Sequence, residues 1–216
     1  MVSSMYYKTI YPSPIGNLTL ASDGNNLTGL WIEGQKYHGD NIYKNMQEKN
    51  DLLVFDVARQ WLEKYFNKKR PGISDLPLAP NGSVFRHEVW DILRQIPYGE
   101  VISYGNIAKK IAFKRNKENA YIEPTFKDMN NNNKVFEAKE SSNKKAVDTK
   151  KSNLSRAVGG AVGHNPISII IPCHRVIGTN GNLTGYAAGL KNKIKLLELE
   201  GVDISKLHML LKDKDI

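Results

Sequence analysis

The one cysteine among 216 residues is Cys173, and the residue after it is His174. A thiol becomes a nucleophile only as thiolate, and a nearby imidazole is the usual means of taking its proton. The pair lies in the run Ile169-Ile170-Ile171-Pro172-Cys173-His174-Arg175-Val176. Three β-branched residues predict a buried strand. Pro172 has no N–H for a ladder and ends it. Cys173 is therefore expected where a strand leaves the core, on rigid backbone beside a pocket. These two residues alone leave two readings open. Adjacent residues on a strand point to opposite faces, and a lone cysteine also serves as a small buried hydrophobe.

The context is longer than the pair. Asn165 to Gly189 reads NPISIIIPCHRVIGTNGNLTGYAAG. It resembles the active-site segment of the O6-alkylguanine-DNA alkyltransferases, in Pro172 to Val176, in Asn165 before them, and in Gly185-Tyr186-Ala187-Ala188-Gly189 after them. The resemblance implies a DNA repair protein that flips O6-alkylguanine out of the duplex and moves the alkyl group irreversibly onto Cys173. Such a protein is a single-turnover, self-inactivating transferase. Whether O4-alkylthymine is also a substrate stays open. The damaged double-stranded DNA is itself the alkyl donor, so no cofactor is implied.

The resemblance also implies roles. His174 takes the thiol proton through a water, and Glu200 orients His174, which is triad logic applied to a thiol. Asn165 braces the turn beside the cysteine. Tyr104 donates to the purine ring nitrogen as the leaving group gains charge. Tyr186 stacks on the flipped base, and Val176, Ala187 and Ala188 belong to the same binding set. Positions 187 and 188 often hold Gly or Ser in the family, so the alanines mark a departure. Arg156 fills the gap left in the base stack, while Ala157 and Gly160 lie against the minor groove. Without the resemblance, Glu200 is a negative charge placed unfavourably near a helix C-terminus, and the two tyrosines are ordinary core or turn aromatics.

Composition agrees with this without requiring it. Net charge is +9 and the isoelectric point about 9.4, which suits a polyanionic partner. One cysteine excludes an internal disulfide framework and a multi-cysteine zinc site, and five scattered histidines suggest no metal. The opening MVSSMYYKTIYPSPIG lacks a signal-peptide core, and no stretch has the ~20 apolar residues of a membrane span. A cytoplasmic monomer without membrane attachment is expected.

The elements that must position these residues divide into two regions. Residues 1–80 are expected to form a small ribonuclease-H-like α/β domain with its linker. Met5 to Tyr11, Leu18 to Ala21 and Leu27 to Ile32 read as an antiparallel meander. Leu53, Phe55, Val57, Ala58, Trp61, Leu62, Tyr65 and Phe66 make one helix stripe across residues 52–68. Lys68 to Asn81, rich in proline, reads as the linker. Residues 81–216 are expected to form the helical, winged helix-turn-helix-like DNA-binding domain that carries the cysteine, making the whole chain α+β. Ser83 caps a helix from Val84 to Ile96, and Ser103 caps a short one from Tyr104 to Ala112. Residues 113–153 read as a low-complexity insertion, disordered or loose, with ten Lys/Arg against six Asp/Glu between Lys114 and Lys151. The motif resumes at Leu154 to Ala161, where Gly159 and Gly160 each cost about 1 kcal/mol in a helix interior, a cost that fits close approach of another surface. Gly178 to Gly185 reads as a wing. Leu190, Ile194 and Leu197 line a helix ended by Gly201, and Val202 to Ile216 are expected to fray.

Three other readings remain. A non-transferring lesion-binding relative would lack the cysteine that is present here. A cysteine hydrolase would leave the helix-turn-helix segment unexplained and needs an oxyanion-hole signature that is not visible. A DNA-binding regulator with an inert thiol is the third.

Overall fold

A computed structural model of the chain describes residues 5–39, 46–120, 144–178 and 181–207, and of these the backbone alone for 117–120 and 144–152. The alternation in the first region gives the expected meander. Strands β1 (Tyr7–Ser13), β2 (Gly16–Ser22) and β3 (Leu27–Ile32) pair antiparallel, with Leu18 opposite Ile32 and Leu20 opposite Leu30. These four side chains are buried and form one wall of the core. A two-residue strand, β4 (Gln47–Glu48), joins parallel to β1 and completes the order β3-β2-β1-β4. It was not foreseen, since two exposed residues carry no periodicity.

Helix α1 (Leu53–Phe66) lies on this sheet. Its buried residues are Val54, Phe55, Ala58, Trp61, Leu62 and Tyr65, a stripe at helical spacing. Leu53, which the sequence placed on the stripe, is instead 78% exposed, because the stripe runs one position later at the N-terminus. The proline-rich segment then crosses the open edge of β3. The Leu27 N–H donates to the Pro77 carbonyl (2.8 Å), and the Ala79 N–H to the Leu27 carbonyl (2.9 Å). This covering blunts an otherwise sticky sheet edge.

The second region is helical. Ser83 caps α2 (Val84–Arg94) by accepting from the Arg86 N–H, as its residue type predicts. Val84 is 79% exposed rather than apolar-facing, while Val89, Trp90 and Leu93 are buried. The Trp90 indole N–H donates to the Ala161 carbonyl (2.9 Å), which ties α2 to α4 (Lys144–Gly163). Helix α3 (Tyr104–Ala120) starts under the Ser103 cap but does not stop at Ala112. Residues 113–120 contain good helix formers and neither glycine nor proline. Arg115 also pairs with Glu88 of α2 at 2.7 Å. Both ends of the expected insertion are thus helical, and residues 121–143 lie outside the described residues.

The isoleucine run departs most from expectation. Ile169, Ile170 and Ile171 are buried, yet they form no strand. The edge of β3 offers this segment only Leu30, whose N–H donates to the Pro166 carbonyl and whose carbonyl accepts from the Ser168 N–H, both at 2.8 Å. With no further ladder available, the chain curls. The Ile171 N–H returns to the Ile167 carbonyl (3.0 Å), and Ile169 takes φ +70°. A β-branched residue in that region is held there against a cost of roughly 1–2 kcal/mol by its surroundings. The turn ends in a 3₁₀ helix (Cys173–Arg175) and a short strand β6 (Val176–Ile177) parallel to β5 (Ile102–Ser103). Helix α5 (Leu190–Leu199) follows, and Gly201 beyond it takes φ +83°, the left-handed geometry of a helix stop. Residues 204–206 form a further 3₁₀ turn rather than fraying, anchored by Asp203, and residues 208–216 lie outside the described residues. A single apolar cluster links the sheet, α1, α2 and the active-site turn.

Candidate active site

The curl beside β3, which follows α4, decides the site. It delivers Cys173 to the first position of the 3₁₀ helix with its side chain buried. The neighbouring Asn165 sits at the other end of the same turn. Its amide N–H donates to Cys173 Sγ (3.1 Å) and to the Ile171 carbonyl (2.8 Å), while its Oδ1 accepts from the Ile167 N–H (3.1 Å). One side chain thus holds the turn and points a donor at sulfur. Burial raises the thiol pKa, and Asn165, Ser168 and Lys193 oppose that in part. The resting group is a thiol, so attack requires a base.

His174 is fully enclosed and meets Glu200 at the end of α5, with Nε2 2.8 Å from Oε1. Arg175 grips the same carboxylate, Nε on Oε2 at 2.8 Å and Nη2 on Oε1 at 2.9 Å. The Gly99 N–H adds a donor to Oε2 (3.2 Å), and Arg175 also donates to the Ile96 carbonyl (2.6 Å). Against the cost of burial, His174 and Arg175 hold the Glu200 carboxyl well below its usual range. A carboxylate only accepts, so Nε2 carries the imidazole proton. Burial, which Glu200 opposes and Arg175 and Lys193 reinforce, lowers the His174 pKa and keeps the ring neutral. Its Nδ1 is then a bare lone pair, enclosed and without a partner among the described residues. A neutral imidazole with its basic nitrogen free, next in sequence to a buried thiol, is equipped to accept that thiol's proton.

Known proteins share part of this sequence. The model described as 6-O-methylguanine DNA methyltransferase, ribonuclease-like domain, matches residues 5–80. That described as the DNA-binding domain of the same proteins matches residues 84–120 and 141–202. A methylated-DNA--protein-cysteine methyltransferase of Haemophilus influenzae is 37% identical over 201 residues, covering 93% of this chain and 89% of its own. One of Methanosarcina acetivorans is 40% identical over 202 residues, covering 91% and 99%. The chain belongs to the 6-O-methylguanine DNA methyltransferase family. Among solved structures, a Mycobacterium tuberculosis family member in complex with DNA aligns with TM-score 0.61 and 34% identity, covering 94% of each chain. The first region thus has the ribonuclease-like fold of this family, and the second its DNA-binding fold.

The residues that family likeness singled out fall into three groups. Cys173, His174, Glu200 and Asn165 come together in the buried cluster above. Tyr104 and Tyr186 stand half-buried beside it. The Tyr104 hydroxyl donates to the Gly185 carbonyl at 3.4 Å, and burial pushes its pKa up to about 12, so it stays a donor. Ala187 and Ala188 lie on the same loop, where the Lys36 N–H donates to the Ala187 carbonyl (2.9 Å) and the Asn192 amide to that of Ala188 (2.9 Å). Val176 is different: its side chain is buried in the core and its carbonyl faces Lys193. Arg156, Ala157 and Gly160 lie apart on one exposed face of α4. A Cβ added at Gly159, Gly160 or Gly163 would meet nothing within 4 Å, so no internal contact accounts for these glycines.

Lys193 was missed. It is completely buried, and its ammonium donates to the carbonyls of Val176 (2.5 Å) and Thr184 (2.9 Å). It therefore fastens α5 to the active-site turn and the loop of Tyr186. Burial pulls its pKa down to about 8, while the neighbouring Cys173 opposes the fall. The spacing held a clue: of the three lysines at 191, 193 and 195, only Lys193 is in helical step with Leu190, Leu196 and Leu197. Among the described residues no group of three or more His, Cys, Asp or Glu is placed to hold a metal ion, and no helix is long and apolar enough to cross a membrane.

Proposed function

We propose that this protein repairs O6-alkylguanine in double-stranded DNA by moving the alkyl group to its own Cys173. The observation that carries the reading is the buried cluster in which Glu200 fixes His174 with its basic nitrogen bare, beside a thiol that Asn165 braces. The exposed small-residue face of α4, with Arg156, Ala157 and Gly160, lies along the DNA backbone. Arg156 fills the stack when the damaged base turns out, and the unstacking costs a few kcal/mol. Tyr186, Ala187 and Ala188 form the walls that receive the base, without Val176, whose side chain lies in the core. His174 Nδ1 accepts the thiol proton, and the sulfur then displaces guanine from the alkyl carbon. One S–C bond forms and one C–O bond breaks. Tyr104 donates toward the purine as negative charge grows on it, and a proton equivalent to the one lost by sulfur restores neutral guanine. A thioether has no comparable leaving group, so each molecule acts once. Residues 1–80 serve as the ribonuclease-like domain and 81–216 as the DNA-binding and catalytic domain. The protein works as a cytoplasmic monomer, where its thiol stays reduced.

A duplex with O6-methylguanine inside a restriction site tests the reading, because methylation blocks cutting. Cutting restored in proportion to protein added, one site per molecule with no turnover, is the expected result. Cutting that stays blocked with the duplex bound would make the protein a lesion binder instead.

A further inference from the structure

The carboxylate that holds His174 receives a donor from the other domain. Tyr65 belongs to α1, 135 residues away in sequence, and its hydroxyl donates to Glu200 Oε1 at 2.7 Å. That oxygen also faces His174 Nε2 (2.8 Å) and Arg175 Nη2 (2.9 Å), while Oε2 takes Arg175 Nε and the Gly99 N–H. Five donors converge on a group with about four lone-pair sites. Tyr65 is 1% exposed and locked from both sides, stacked on Trp61 at 5.4 Å and edge-on to Tyr98 at 6.0 Å. Arg175 is already bidentate, so a phenol is not needed to neutralise Glu200. What a neutral donor adds is direction, and a share of the charge on the one oxygen that faces His174.

We infer that Tyr65 is a positioning residue through which the ribonuclease-like domain sets the Glu200–His174 pair, so that this domain takes part in the transfer step. The inference rests on the reading of Cys173, His174 and Glu200 given above. Burial and Glu200 keep the phenol protonated well beyond neutral pH, so it acts as a fixed donor. Charge drawn onto the phenol is charge withheld from Nε2. Without it, Glu200 favours the imidazolium, Nδ1 becomes protonated at higher pH, and the base is lost. The other groups that face the pair are Arg175 and Lys193, with Tyr98 and Tyr186 nearby, and Tyr65→Phe changes none of these residues.

The test is the single-turnover transfer rate between pH 5 and 9, with the His174 ring titrated by NMR in the same proteins. In Tyr65→Phe the acid limb and the His174 titration are expected to move up by about half a unit. The rate then falls about threefold more at the acid end than at pH 8, with affinity for undamaged duplex unchanged. A 3-fluorotyrosine at position 65, a stronger donor of nearly the same size, is expected to move both the other way. Trp61→Phe disturbs the same helix face without touching Glu200 and should keep the wild-type profile shape. Superimposable profiles and an unmoved His174 titration, whatever the loss of rate or stability, overturn the inference while leaving the transfer reaction intact. Absence of transfer by the wild-type protein overturns the underlying reading and the inference with it.

Discussion

Glu200→Gln isolates the charge on which the site is built. The amide has nearly the same shape, but it removes the anion paired with Arg175, whose side chain is 8% exposed. It also places two hydrogens where Glu200 now accepts five donors. Leaving one member of a buried ion pair uncompensated costs about 3–5 kcal/mol. For a chain of this length each kcal/mol lowers the melting temperature by about 2–4 °C, so the fall is roughly 6–20 °C. Methyl transfer slows by about a hundredfold or more, because the imidazolium formed when His174 takes the thiol proton loses the anion that stabilises it. Thermal melts and denaturant titrations measure the first effect and single-turnover kinetics the second. The pairing is tested by a cycle with Arg175→Met, where the double variant should recover about 2 kcal/mol relative to the sum of the single changes. The sign with pH is fixed too. A carboxyl held below its unfolded value stabilises the fold above that value, and the gain is lost as pH falls through the native one. Wild type and variant therefore converge in stability toward acid. A variant that melts within about 2 °C of wild type, or an additive cycle, refutes the reasoning.

Gly160→Leu should stabilise α4 or leave it unchanged, since leucine is the better helix former and the position opens to solvent. It should weaken duplex binding about tenfold by holding the helix off the DNA, as fluorescence anisotropy would show. Cys173 should react with iodoacetamide more slowly than a free cysteine at pH 7 and gain rate only at higher pH, because burial raises its pKa. Fast labelling at neutral pH would mean a preformed thiolate. Ser83→Ala should lower stability by about 1 kcal/mol, read as a melting shift of about 2–4 °C, with transfer unchanged.

What the sequence could reveal followed the range of each physical signal. Caps and amphipathic stripes are local, so Ser83, Ser103 and the meander were legible from a few residues each. The burial of Ile169 to Ile171 was legible as well, but their backbone was not. Hydrophobicity says that a run goes inside, not whether a neighbouring edge has free partners, and β3 offered only Leu30. The site residues were legible through family motifs, since nothing local brings Glu200 to His174. Arg175 stood within the motif, yet its grip on Glu200 depends on the fold. Tyr65 looked like one more aromatic on a core stripe, and it is one, with a hydroxyl whose partner lies 135 residues ahead. Lys193 was concealed by two lysine neighbours that do face solvent.

The most direct measurement is the intact mass of the protein after mixing with a duplex bearing one O6-methylguanine, beside a Cys173→Ala variant. The account predicts the gain of one methyl group per molecule, confined to the peptide that contains Cys173 and absent from the variant. An unchanged mass, or a methyl group that still appears in Cys173→Ala, would contradict it.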